Sequence, residues 1–391
     1  MVQRYRVVLG LPGVRALMIV MFFARIPQTA TPLTLTLHVA VTLGKGYGAA
    51  GLVGAAGTVG IAVGAPFMGR IVDRWGLRPM LVLTTIGQSA FWFTAPLLGY
   101  TGLLVTSFIG GVLTVPAMSI GRQAIGIIVP EEHRRTAFSL DAVFVEFSFM
   151  VGPVLGVALA TQASSAVAMI VIACSVVLVG GTLYVFNPLT RNGNEREAGP
   201  RPARREWLTG QLTGVLVVGM GAVFVLAGTE VTAVAVLRAN GEVEWTGALV
   251  VIMCIASLIG GLVHGAVHKS LPQVTLMMLL GALTIPVALV SGWWWVIGLA
   301  LVPSQMMCAP TLAATGEEVS RLTPLSVRGE ATGLQGSAFT LGSALGSPVI
   351  GFVVDHTAPN WGFVGAGLGG VLVAAGAYAL TRQPARASAI S

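Results

Sequence analysis

The chain has 391 residues, of which 55% are hydrophobic and only 9% charged. Soluble domains carry about 25% charged residues, so this composition excludes a soluble globular protein and a disordered one. Three cysteines exclude a secreted disulfide scaffold, and a net charge of +7 is too thinly spread for a nucleic-acid-binding surface.

A membrane-crossing helix needs roughly 20 apolar residues. Segments of that kind lie at 11–38, 48–69, 79–98, 102–127, 136–160, 165–186, 209–237, 245–267, 272–291, 293–315, 329–354 and 361–381, giving twelve predicted spans. Arg4 and Arg6 precede the first apolar stretch, as in a secretory leader. Arg15 and Arg25 interrupt that stretch and no A-x-A site follows, so it is read as a retained helix. Cys174, Cys254 and Cys308 sit inside apolar runs without metal or redox spacing and are read as packing residues. No cofactor is expected. Lysine occurs only at Lys45 and Lys269, an arginine bias that points to a GC-rich bacterial genome.

Residues 187–208 differ in composition from everything around them, with five Arg and three Glu, and divide the chain nearly in half. They are read as a cytoplasmic linker between a six-helix bundle at 1–186 and a second at 209–391. A shift of 195 residues aligns Phe144 with Phe339, Pro153 with Pro348, Leu155 with Ile350 and Gly156 with Gly351. Two related six-helix halves are a known transporter architecture.

Charge sets the expected orientation. With a cytoplasmic N-terminus, 19 of the 22 basic residues fall on the inner side, as the positive-inside rule requires. Lys45 and Arg238 face outward, and Arg25 lies within a helix. Trp245, Trp293, Trp294, Trp295 and Trp361 form an aromatic belt at the outer ends. Both termini are expected in the cytoplasm, the chain in a bacterial inner membrane as a monomer, and the outer loops too short for a folded domain.

Between the second and third spans the chain reads Gly69-Arg-Ile-Val-Asp73-Arg74-Trp-Gly76-Leu-Arg78. These ten residues resemble the loop signature of the major facilitator superfamily, and the twelve-helix organisation matches that family over the whole chain. The equivalent loop of the second half, from His264 to Lys269, lacks the acidic residue. Glycines at 69 and 76 permit a tight turn and close backbone approach, and Asp73 is placed to accept hydrogen bonds from a helix N-terminus. The resemblance implies that this N-terminus belongs to the eleventh span, near Gly329–Thr332. With Arg74 and Arg78 pairing to acids or lipid headgroups, the motif would latch the two halves when the inner gate is shut. An ordinary basic turn is the alternative. In the fifth span, Gly152-Pro153-Val-Leu-Gly156 resembles the core of the glycine–proline motif of superfamily antiporters, although Ser148 and Val157 replace two of its further glycines. It is also a plausible helix bend with small residues for close packing. The family's arginine early in the fourth span is absent; Arg122 stands near that helix's inner end, where it is expected to pair with Asp73 or Asp141.

Ionisable residues at bilayer depth are functional candidates by default. At 1.5 Å per residue, Arg25 stands about 15 Å beyond Arg15 and Glu146 about 16 Å beyond Arg135. Equal height in adjacent helices predicts an Arg25–Glu146 pair, either a permanent structural tie or a switch. In the switch, protonating Glu146 releases Arg25, and an anionic substrate group competes for the guanidinium. Glu230 is placed in the outer part of the seventh span, as a second proton or cation site or a carboxylate at the outer mouth. Asp141 is expected to meet Arg122 or Arg134 at the inner interface. Gln28, Gln305 and Gln335 are cavity candidates or interhelical hydrogen-bonding residues. His38 and His356 are expected to be solvated at the outer face.

The fold class is therefore an all-α integral membrane protein with two pseudo-symmetric six-helix bundles. The expected function is secondary transport by alternating access, with protons coupled to export of a small drug-like or amphipathic molecule. Import of a sugar, organic acid or other nutrient is the first alternative, and would call for a denser polar cavity lining. A membrane-embedded enzyme or receptor is the second, but no P-loop and no clustered His/Asp/Glu or Ser/His set is found. The expected partners are a small-molecule substrate, protons and membrane lipids, without nucleic acid.

Overall fold

A computed structural model describes residues 2–188, 202–267, 270–290 and 292–382. Among these, the chain forms sixteen α-helices. The first half contains α1 (Val2–Gly10), α2 (Val14–Leu37), α3 (Gly46–Trp75), α4 (Leu77–Thr94), α5 (Tyr100–Val112), α6 (Ala117–Ile128), α7 (Glu131–Gln162) and α8 (Ser165–Phe186). A short α9 (Arg204–Trp207) leads into α10 (Gly210–Ala239), α11 (Thr246–Ala266), α12 (Gln273–Thr284), α13 (Trp294–Gln305), α14 (Cys308–Leu322), α15 (Arg328–His356) and α16 (Trp361–Arg382). Eleven segments are long and apolar enough to cross a membrane, and Gln273–Leu289 is a shorter twelfth. Most of the interhelical linker, residues 189–201, lies outside the described residues, as do His268 and Lys269 of the second-half loop.

Two spans are each made of two helices, for a shared reason. In the fourth, α5 ends at Val112 and α6 starts at Ala117. Pro116 supplies no amide hydrogen and pushes the residue before it out of helical geometry. In the tenth, α13 gives way to α14 at Met306–Met307, just ahead of Pro310. A broken helix at membrane depth needs partners for the backbone groups it frees. Gln28 Nε2 donates to the Val115 carbonyl at 2.6 Å, and Ser257 Oγ accepts the Ala309 amide at 3.2 Å. Each break is thus satisfied by a polar side chain from a neighbouring helix.

The helices of each half pack chiefly on one another, and the halves meet through α3–α15, α7–α11 and α7–α14. Hydrogen bonds between the halves cluster at the arginine-rich end. Thr136 donates to the Gly265 carbonyl at 2.6 Å, Ser119 to Thr332 at 3.0 Å, and Arg328 Nη1 to Gly126 at 3.2 Å. Among the described residues, α2 and α10, which open the two bundles, form no comparable interface. The N-terminal helix α1, unforeseen in the sequence, adds a strap. Tyr5 donates to the Leu262 carbonyl at 2.5 Å and Arg4 Nη1 to Val267 at 3.0 Å, so α1 reaches from α7 to α11. Burial pushes the Tyr5 hydroxyl up to about 12, which keeps it a donor at any physiological pH. His38 differs from expectation: it is buried, with Nδ1 2.8 Å from Ser165 Oγ.

The closest approach of the halves is glycine-dependent. A Cβ at Gly69 would strike the Gly329 carbonyl, and one at Gly333 would come within 2.5 Å of the Ala65 carbonyl. Backbone cannot yield as a flexible side chain does, so Gly333→Val should weaken closure by ~1–3 kcal/mol. Spin-label distances across the arginine-rich end are expected to shift toward the separated state.

Candidate gating and coupling site

The glycine–aspartate motif is mostly helical. Nothing interrupts α3 until Gly76, whose φ of +89° turns the chain into α4. The expectation of an inter-helix loop starting near residue 69 is therefore corrected: Gly69 to Arg74 form the last two turns of α3. Gly69 serves close approach, and Gly76 serves the turn. Asp73 Oδ1 accepts the Gly329 amide at 2.8 Å and Oδ2 accepts the Glu330 amide at 2.9 Å. The carboxylate thus satisfies two of the donors that a helix N-terminus leaves unpaired, and its charge complements the helix dipole. Glu330 in turn takes Arg70 at 2.8 Å and Arg204 at 2.6 Å, so α3 and the incoming α9 both converge on the first turn of α15. Arg135 meets Glu317 at 3.4 Å between α7 and α14. Arg78 lies over the Tyr184 ring, 5.2 Å from its centroid, within its own half. Arg74 is exposed.

Deeper in, the structure corrects the expected ion pair. Arg25 does not meet Glu146; its Nη2 lies 2.6 Å from Asp141 Oδ1, both side chains fully or almost fully buried. The error was one of register. Height on the fifth span was counted from Arg135, but α7 begins at Glu131, and α2 at Val14. Arg25 is eleven residues into its helix, level with Asp141 at ten, while Glu146 stands more than a turn higher. Arg122 approaches the other oxygen of Asp141 at 3.8 Å and packs over the Phe339 ring of α15, 4.8 Å from its centroid. With its amide oriented by its neighbours, Gln335 Oε1 accepts from Arg122 Nη1 at 3.2 Å and from the Gly316 amide at 3.3 Å. Gly121 leaves room for the Arg25 guanidinium.

Glu146 points the other way, across the interface. Ser257 Oγ on α11 donates to Glu146 Oε1 at 2.7 Å while accepting the Ala309 amide of α14. Because that hydroxyl already accepts an N–H, its own proton is directed to the carboxyl. Glu146 therefore ties α7 to both α11 and the start of α14. Glu230 on α10 is exposed, and its charge lies within interaction range of Glu146. Neither carboxyl forms an ion pair with a described residue. Gln305 is buried with both amide atoms unpartnered. Gly152 and Gly156 set α7 against α2, where added Cβ atoms would meet Thr29 and Thr34. Thr29 also donates to the Ser148 carbonyl at 2.9 Å, and α7 continues through Pro153. The glycine–proline segment thus serves packing within the first half. No signal in the sequence could have found the roles of Ser257 and Phe339, which are ordinary residues until the halves are brought together.

Three outcomes follow. Asp73→Ala should cost the closed state ~1.5–3 kcal/mol for the lost charge-assisted bonds, seen as faster hydrogen exchange at the Gly329 and Glu330 amides. Asp141→Asn should lower stability by ~3–5 kcal/mol, since it strands a buried guanidinium. Glu146→Gln should leave the melting temperature nearly unchanged.

Comparison with known proteins agrees with this architecture. The Major Facilitator Superfamily profile matches residues 17–290. No protein of curated function matches the chain. The human organic anion transporter MFSD10 superposes with a TM-score of 0.73 at 18% identity, covering 94% of this chain and all of the other. The E. coli fucose:proton symporter FucP gives 0.68 at 16% identity, covering 95% and 98%. A bacterial homologue of the iron transporter ferroportin, in an outward-facing state, gives 0.73 at 12% identity, covering 95% and 99%. With a profile match over more than half its length, eleven apolar membrane-length helices and these neighbours, the chain belongs to the Major Facilitator Superfamily of membrane transporters.

Proposed function

We propose that this protein is a monomeric, proton-driven exporter of small amphipathic or drug-like molecules. It resides in a bacterial plasma membrane with both termini and the arginine-rich end in the cytoplasm. The observation that carries the reading is the Glu146–Glu230 arrangement. One carboxyl comes from each half, neither has a cationic partner among the described residues, and the Glu146 charge acts on Glu230. Two negative charges brought together in a low-dielectric layer repel, and arrival of a proton relieves that repulsion.

Glu230, exposed about 30 Å along α10, is the access point for protons from the far side; Glu146, about 22 Å along α7, is the coupling point. A charged Glu146 holds the Ser257 hydroxyl strongly. A neutral carboxyl holds it weakly, and the tie from α7 to α11 and α14 loosens. Proton occupancy thereby biases the equilibrium between closure and opening at the arginine-rich end. Basic residues concentrated at that end support its cytoplasmic placement.

A second reading is proton-coupled import, favoured by the likeness to the fucose:proton symporter. Proteoliposomes with an imposed pH gradient separate the two. Substrate moving against the proton flow supports export, and substrate moving with it supports import. In either case Glu146→Gln should abolish gradient-driven accumulation while sparing substrate exchange at equal pH. Full accumulation by this variant would refute the coupling role.

A further inference from the structure

The Arg25–Asp141–Arg122 cluster holds two guanidiniums against one carboxylate. All three side chains are buried, at 0%, 1% and 7% exposure. Asp141 spends its short contact on Arg25, at 2.6 Å, and meets Arg122 only at 3.8 Å. Even so, Arg25 Nε and Nη1 have no hydrogen-bond partner. A buried net positive charge with unfilled donors is expensive in a membrane interior, and a guanidinium fork is shaped to receive a carboxylate or similar anion.

We infer that Arg25 and Arg122 form an anion-binding site for the acidic group of an amphipathic organic substrate, with Asp141 as its built-in competitor. The site is sealed here by the second half: Gln335 and Phe339 of α15 cover Arg122, and Gly316 of α14 shares the Gln335 amide. Separation of the halves at the arginine-rich end removes those contacts together. Arg122, released, is then free to turn to Asp141, which loosens Arg25 for the incoming anion. The site is therefore loaded from the arginine-rich end and shut when Asp73 recaps α15. A neighbour in the first half suits the rest of an amphipathic molecule: Met21 lies beside Gly121 and the guanidinium. This assignment rests on the transport reading for the conformer that exposes the site, but not on proton coupling.

The test is equilibrium binding to the full chain in lipid nanodiscs without any gradient. Radiolabelled 4-phenylbutyrate is displaced by unlabelled 4-phenylbutyrate or by its uncharged amide. The carboxylate should displace the label and the amide should fail at the same concentration. Arg25→Gln, which leaves Asp141 to Arg122, should weaken carboxylate binding about tenfold or more and erase the preference over the amide. A purely structural role for Arg25 would weaken binding without erasing the preference for the carboxylate. Where Asp141→Asn folds, its binding should tighten and added carboxylate should raise its melting temperature. Where it does not, the wild-type and Arg25→Gln results decide. Glu146→Gln should keep the carboxylate preference, which separates this site from failure of the coupling reading. Absence of saturable binding, equal displacement by the amide, or an intact preference in Arg25→Gln would overturn the assignment.

Discussion

A single carboxylate on the N-terminus of α15 organises one end of the molecule. Asp73 accepts the Gly329 and Glu330 amides when the halves are together. The amides belong to a helix start that cannot satisfy them internally, and the carboxylate lies at the end of a membrane helix where its charge needs compensation. Glycines at 69, 329 and 333 let the two backbones come close enough for the contact, since a side chain at any of them would strike backbone or the Asp73 carboxylate itself. Glu330 extends the arrangement to Arg70 and Arg204. Closure of this end therefore depends on hydrogen bonds and charges between rigid helix ends, which water can replace when the halves part. Such contacts suit an interface that must both form and break.

The long helix α7 connects the remaining parts. From its arginine-rich end upward it carries Arg135 and Thr136 at the interface, Asp141 in the buried basic cluster, Glu146 at the cross-half hydrogen bond, and Gly152 and Gly156 against α2. Asp141 and Glu146 are five residues apart, about 7.5 Å along the axis and on different faces. One faces the first half, the other the second. The helix thus holds the buried basic cluster and the Glu146 carboxyl on separate faces.

Much of the architecture was legible in the sequence because a bilayer imposes few solutions. Twelve apolar segments, the arginine asymmetry and the ten-residue glycine–aspartate motif each follow from rules that act locally on the chain. The family resemblance also implied which helix start Asp73 would meet, and the Gly329 and Glu330 amides are there. Legibility failed where an answer depended on register between helices. Counting from Arg135 rather than from Glu131 displaced α7 by one turn, and that turn exchanged Asp141 for Glu146 as the partner of Arg25. The N-terminal strap was missed for a related reason, since Tyr5 and Arg4 gain partners only on a helix of the other half.

The sequence by itself determined that this is a twice six-helix membrane protein with its positive charge at one end and only a few ionisable groups at depth. Hydrophobicity, helix length and charge bias are properties of single segments, so no knowledge of neighbours is needed to read them. Only the tertiary structure decided how those few groups are shared out: Arg25 and Arg122 around Asp141, Glu146 with Ser257, and Glu230 on the opposite half. In a low-dielectric interior a charge is governed by atoms within a few ångströms. Those distances are set by the rotation and height of packed helices, which the composition of a single helix does not encode.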